Sequence, residues 1–203
     1  MKLIKMLSYV VAGLLASAGA SASPLVNGDF STGDLSGWTS NGSVNVIDWG
    51  FNTTGSALTG DLFAGLGTDV PTTLTETFHL DAGDTFTGQA QWIGWDYLPN
   101  NDYGSVSIVD DTTTNSTTLF SGDIATYGDF GSSAVNSFQF IAPTTGDYTI
   151  TAAVANAGDN SSPSELQVAN FAVTAVPVPS AFWLFGTVLA GFAAGKRRFG
   201  NAE

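Results

Sequence analysis

One histidine, no cysteine and no basic side chain between Lys5 and Lys196 set narrow limits on the chemistry of this chain. Thiol nucleophiles and multi-histidine zinc sites need residues that are absent. A lysine or arginine clamp on phosphate cannot be built either, which removes phosphoryl transfer and nucleic acid as a partner. A serine triad would need His79 as its base, but His79 sits in a run of alternating residues and reads as a partly exposed strand side chain. No nucleophile elbow, P-loop or dinucleotide motif occurs. Paired carboxylates cleave glycosides in many enzymes, and aspartate is plentiful. Here the aspartates gather at turns, where they bond the local backbone. No catalytic residue is assigned.

What remains suits binding. Trp92 to Tyr103 reads WIGWDYLPNNDY. Trp92 shares a face with Phe86 and reads as core, whereas Trp95, Tyr97 and Tyr103 are candidates for stacking on a sugar ring. Asp96, Asn100, Asn101 and Asp102 supply oxygens that would suit a loose Ca²⁺ loop, although the EF-hand spacing is missing. Turn formation is the competing reading of the same four residues. Calcium is the one cofactor these residues suggest, and the reading requires none.

The elements that must carry this loop are strands. Leu74, Glu76, Phe78 and Leu80 alternate with three threonines and His79. Phe86, Gly88, Ala90 and Trp92 share one face, and Val106 and Ile108 alternate with serines. Tyr148, Ile150, Ala152 and Val154 make a fourth run, and Leu166, Val168 and Asn170 begin the last. Turn signals at 81–84, 99–102, 110–111, 143–146 and 159–160 separate them. The spacing predicts eight or nine short strands in an all-β, two-sheet β-sandwich, jelly-roll-like, over residues 23–175. No disulfide can support it, so stability must come from apolar burial.

The two ends differ from this middle. All five basic residues lie there, at 2, 5 and 196–198, while 17 of the 18 acids lie between. Lys2 and Lys5 precede the apolar run 6–16 and the small-residue site Ala20-Ser21-Ala22, which predicts a signal peptide over 1–22. Residues 176–203 hold a Val-Pro-Val-Pro entry, a 15-residue apolar run from Ala181 and then Lys196, Arg197 and Arg198. This predicts a single hydrophobic C-terminal helix that inserts in the membrane with its basic end inside.

Val176, Pro177, Pro179, Ser180, Trp183 and the terminal Lys196, Arg197 and Arg198 together resemble the PEP-CTERM sorting domain of Gram-negative bacteria. Val178 stands where the eponymous motif has Glu. The resemblance implies export machinery, signal peptidase and an exosortase-type processing enzyme as partners. It also implies an inner-membrane intermediate on the way to the cell surface or the extracellular space. A second resemblance lies in residues 25–38, whose Asn27-Gly28-Asp29-Phe30 and Gly37-Trp38 are similar to the opening of galactose-binding-like jelly rolls. Residues 165–173 resemble their closing strand. That family implies a structural Ca²⁺ beside the opening motif, held in part by a Glu where this chain has Ser31.

The expected function is a non-enzymatic, exosortase-sorted surface protein associated with an extracellular exopolysaccharide matrix. The alternative is a carbohydrate-binding module with a defined sugar site, and a glycosidase-class enzyme comes third.

Overall fold

Alternation of apolar with Thr, Ser and Gln side chains becomes, in a computed structural model, ten antiparallel strands. The structure describes residues 24–48, 59–65 and 69–176. The signal peptide and the sorting segment from Pro177 onward lie outside the described residues; of the sorting motif only Val176 is within them. No helix among the described residues is long and apolar enough to cross a membrane.

In chain order the strands are β1 (Thr39–Asn41), β2 (Ser43–Ile47), β3 (Thr59–Phe63), β4 (Thr72–Leu80), β5 (Thr85–Ile93), β6 (Tyr103–Asp110), β7 (Ser116–Asp123), β8 (Asn136–Ile141), β9 (Gly146–Ala155) and β10 (Glu165–Thr174). One short helix, α1 (Ile124–Tyr127), follows β7, its first turn capped by the Asp123 side chain on Thr126 N. One sheet runs β1-β4-β9-β6-β7 and the other β2-β3-β10-β5-β8. The five runs expected from alternation are β4, β5, β6, β9 and β10. Ten strands among the described residues exceed the expected eight or nine: β1 and β3 are short with no clear period, and β2, although Val44 and Val46 alternate, is only five residues long. The four-residue α1 was also not legible, being too short to have one.

Inward faces meet in one core. Leu74, Phe78, Leu80, Phe86, Ala90, Trp92, Ile108, Tyr148 and Ile150 are all buried. Trp92 is fully buried and lies against the backbones of β6 and β7, where glycines make room for it. A Cβ on Gly104 would stand 3.2 Å from the indole, and one on Gly122 would stand 2.6 Å from it. At the other end Phe30, Trp38, Phe86 and Phe171 stack with ring centroids 5.2–6.3 Å apart, the separations aromatic pairs prefer. The opening motif docks here through Phe171 N to Gly28 O at 2.9 Å.

β10 departs from the expected alternation. Leu166 and Val168 point inward, but between Ala169 and Ala172 the register against β5 shifts. Asn170 takes a left-handed φ of 55° at this bulge, a conformation Asn tolerates better than most residues. The phase then flips, so that Phe171 and not Asn170 continues the core. On the outer face of the other sheet, Thr39, Thr75, Thr151, Ser107 and Thr118 fall in register across all five strands. Hydroxyls thus replace the lysines and glutamates that usually coat an open sheet.

Candidate ligand-binding site

Residues 94–102, joining β5 to β6, are longer than a hairpin needs, and neighbouring segments hold them in place. Gly94 N donates to Gly131 O at 2.8 Å and Phe130 N to Asp96 O at 2.8 Å. Leu98 N donates to Asp129 Oδ1, and Ala125 N to Asn101 Oδ1. Asn100 Nδ2 donates to Asp159 Oδ2 at 2.8 Å. A Cβ on Gly94 would lie 2.8 Å from the backbone oxygen of Gly131, so glycine lets the loop leave β5 this close to the segment after α1. The connection is therefore a fixed platform.

The three aromatics named from the sequence are all about half exposed: Trp95 50%, Tyr97 50% and Tyr103 43%. They do not form one patch. Trp95 turns toward β10, where its Nε1 donates to Glu165 Oε2 at 3.3 Å and its backbone N to Ser164 Oγ at 3.2 Å. Tyr97 pairs instead with Phe130, ring centroids 5.8 Å apart. Tyr103 starts β6 on the outer face of the other sheet, opposite Ala155 and Asp123.

Beside Trp95 a strip of amides and hydroxyls runs along β10, β5 and β8; Glu165, Gln167 and Ser133 in it are buried, and Gln91, Gln89 and Asn170 are half-buried. Gln167 Nε2 donates to Glu165 Oε1 in a short bond, and Gln167 stands in register with Gln91. Gln91 Nε2 reaches Ser133 O, Gln89 Nε2 reaches Ser137 Oγ, and Asn170 Nδ2 reaches Gln89 Oε1 at 2.6 Å. The strip ends in a shallow groove of about 410 Å³ around Thr87, Gln89, Phe138, Gln139 and Asn170. Glu165, Gln167, Phe130 and the amides escaped the sequence reading. The glutamines were visible only as the polar half of an alternating strand, and the bulge that sets Asn170 among them has no signature beyond one Asn.

The four oxygen-bearing residues divide differently. Asp96 and Asp102 are buried, at 1% and 0% exposure, whereas Asn100 and Asn101 are half-buried and bonded as above. Asp102 Oδ2 accepts from Ser164 N and Ser164 Oγ, and its Oδ1 accepts from Ala157 N. Burial raises the Asp102 pKa above the usual carboxylate range; these hydrogen bonds oppose the rise and the nearby Asp96 charge adds to it.

A larger, open cleft of about 780 Å³ lies at the other end of β5, among Asn27, Asp29, Ser31, His79, Asp81 and Asp84. β5 spans nine residues, so the two places stand about 30 Å apart at the usual rise per residue. The stretch around Ser31 ties back on itself, with Ser31 N donating to Asp29 Oδ1 at 3.1 Å. His79 is engaged with Asp147 through Nδ1 at 2.9 Å.

No protein-family model and no curated protein sequence matches this chain. Solved structures of similar fold include a family 61 carbohydrate-binding module, TmCBM61, in complex with β-1,4-galactotriose. It is 19% identical with a TM-score of 0.48, over 77% of this chain and 100% of that one. A family 16 carbohydrate-binding module is 13% identical with a TM-score of 0.45, over 74% and 98%. The CBM22-2 xylan-binding domain from Paenibacillus barcinonensis Xyn10C is 16% identical with a TM-score of 0.42, over 73% and 98%. At these identities and TM-scores the likeness says nothing of what this chain does.

Proposed function

We propose that this chain is an exported, non-catalytic β-sandwich that binds a neutral glycan through Trp95 and the amide strip beside it. The observation that carries the reading is the placing of Trp95. It is half exposed, held through Nε1 by Glu165, and set at the head of a strip rich in Gln, Asn and Ser. A sugar ring offers an apolar face to an indole and hydroxyls to amides, and this surface pairs both. Loops carried on a rigid sandwich are the usual seat of binding. The non-catalytic reading is the expectation drawn from the use of aspartates in turns, as Asp110 bonds Thr112 N and Thr113 N. The 17 acids between the basic ends favour a neutral polymer over an anionic one.

Export, insertion of the C-terminal segment and release by an exosortase-type enzyme complete the reading. The destination is the cell surface or an exopolysaccharide matrix.

The test is titration of neutral and acidic oligosaccharides into the purified protein and its Trp95→Ala variant. Neutral glycans should bind, and Trp95→Ala should weaken them by about 1–3 kcal/mol, the order of an aromatic hot spot, with the melting temperature nearly unchanged. Equal binding by the variant would remove Trp95 from the site. An unfolded variant would mark it as a packing residue.

A further inference from the structure

Of the six buried carboxylates among the described residues, Asp96 and Asp102 are the most fully buried, and in a stretch with no Lys or Arg they pose an electrostatic question that hydrogen bonds answer only in part. Among the described residues the ion pairs are those of His79 with Asp81 and Asp147, at the far end of the sandwich. Burying a carboxylate without a counter-charge is costly. Asp102 meets that cost with three hydrogen bonds. Asp96 does not. Its Oδ1 accepts from Tyr97 N at 2.7 Å, but its Oδ2 is buried and has no partner.

A third oxygen in the same end of the fold has the same character. Asn156 is fully buried, and its Nδ2 donates to Ser161 O at 3.1 Å, while its Oδ1 has no partner. Asn156 directly follows β9 and precedes Ala157, whose backbone N is bonded to Asp102 Oδ1. The segments that carry them meet: Ala157 N, next to Asn156, bonds Asp102 Oδ1, and the Asp96 charge is felt at Asp102, while Asp96 Oδ2 and Asn156 Oδ1 are both buried without a partner.

We propose that Asp96, Asp102 and Asn156 Oδ1 hold a calcium ion beneath the loop that carries Trp95. All three donors are hard oxygens and none is nitrogen or sulfur, which selects against zinc and copper. Ca²⁺ accepts irregular oxygen sets drawn from loops, while Mg²⁺ demands near-octahedral geometry and keeps its waters. No group of three or more His, Cys, Asp or Glu side chains suited to a metal occurs among the described residues, so the site depends on the amide and on backbone carbonyls to complete it. The ion would supply the positive charge that the chain itself does not encode. It would also tie together the loop segments around Ser164, whose hydroxyl accepts from Trp95 N and donates to Asp102 Oδ2.

Thermal unfolding of the full chain in Ca²⁺ and in chelator tests this, together with terbium luminescence excited through tryptophan. At 100 times the dissociation constant Ca²⁺ should raise the melting temperature by about 5 °C or more, and terbium should show saturable emission that Ca²⁺ displaces. Asp96→Asn, whose carboxylate makes only a local bond, should abolish both effects. Asp48→Asn, at an exposed position, should abolish neither. Equal melting temperatures in Ca²⁺ and chelator, with no saturable terbium signal, would overturn the proposal. Neither readout involves a glycan, so the outcome is independent of the binding reading.

Discussion

Glu76 faces the core between Leu74 and Phe78, where a carboxyl is least expected. Its Oε1 accepts from Val26 N at 2.6 Å, and its Oε2 is buried without a partner. Burial pushes its pKa from 4.5 up to about 7, against the lowering effect of the Val26 bond. The folded chain therefore keeps a proton on Glu76 that the unfolded chain has released. Stability falls as pH rises from about 4.5 to about 7, and is flat with respect to this group outside that window. The loss should reach about 3 kcal/mol. Glu76→Gln keeps the shape and cannot ionise, so urea midpoints at pH 5 and pH 8 should differ less in the variant than in the parent. The two tryptophans of the site region make a second contrast. Trp92→Ala should cost about 3–5 kcal/mol of stability, where Trp95→Ala should cost binding.

Between elements, the docking of the opening motif on β10 depends on one glycine. A Cβ on Gly28 would stand 2.2 Å from Phe171 O. The obstacle is backbone, so it cannot move aside without disturbing the bulge or the Phe30, Trp38 and Phe171 stack. Gly28→Ala should lower stability by about 2 kcal/mol or more, read as a shift of the denaturant midpoint with the slope unchanged. The Trp95 bond to Glu165 should survive at temperatures where the variant is folded, because β5 separates it from Gly28, whereas Asn170, set by the bulge, is the part of the strip that the variant reaches. If Gly28→Ala is neutral, the opening segment contributes little to the sandwich.

For the whole molecule, the segregation of charge sets what the sorting proposal predicts will be retained. If both ends act as address signals, the mature surface form should have a mass corresponding to residues from Ser23 to the neighbourhood of Pro177–Ser180. That outcome requires a host with an exosortase-type enzyme; without one the C-terminal segment should stay in the membrane fraction. A surface form whose mass includes Trp183 to Arg198 would rule out this processing. Val176 N still bonds Asp84 Oδ1 at 2.9 Å, so a cut beyond it would spare that contact.

The sequence by itself determined the strands with strong alternation, the burial of Trp92, the exposure of Trp95 and Tyr97, and the use of most aspartates in turns. These follow from local rules: a period of two places side chains on opposite faces, and Asp bonds its own backbone, as Asp110 does with Thr112 N and Thr113 N. Tertiary structure alone decided which residues gather. It sent Trp95 to Glu165, 70 positions away, and Tyr97 to Phe130. It moved Asn170 out of the core through a bulge, and it brought Asn156 beside Asp102 while leaving Asn100 and Asn101 bonded elsewhere. Register and strand order fix such neighbours. They are set by the packing of two whole sheets against each other, which no window of sequence contains.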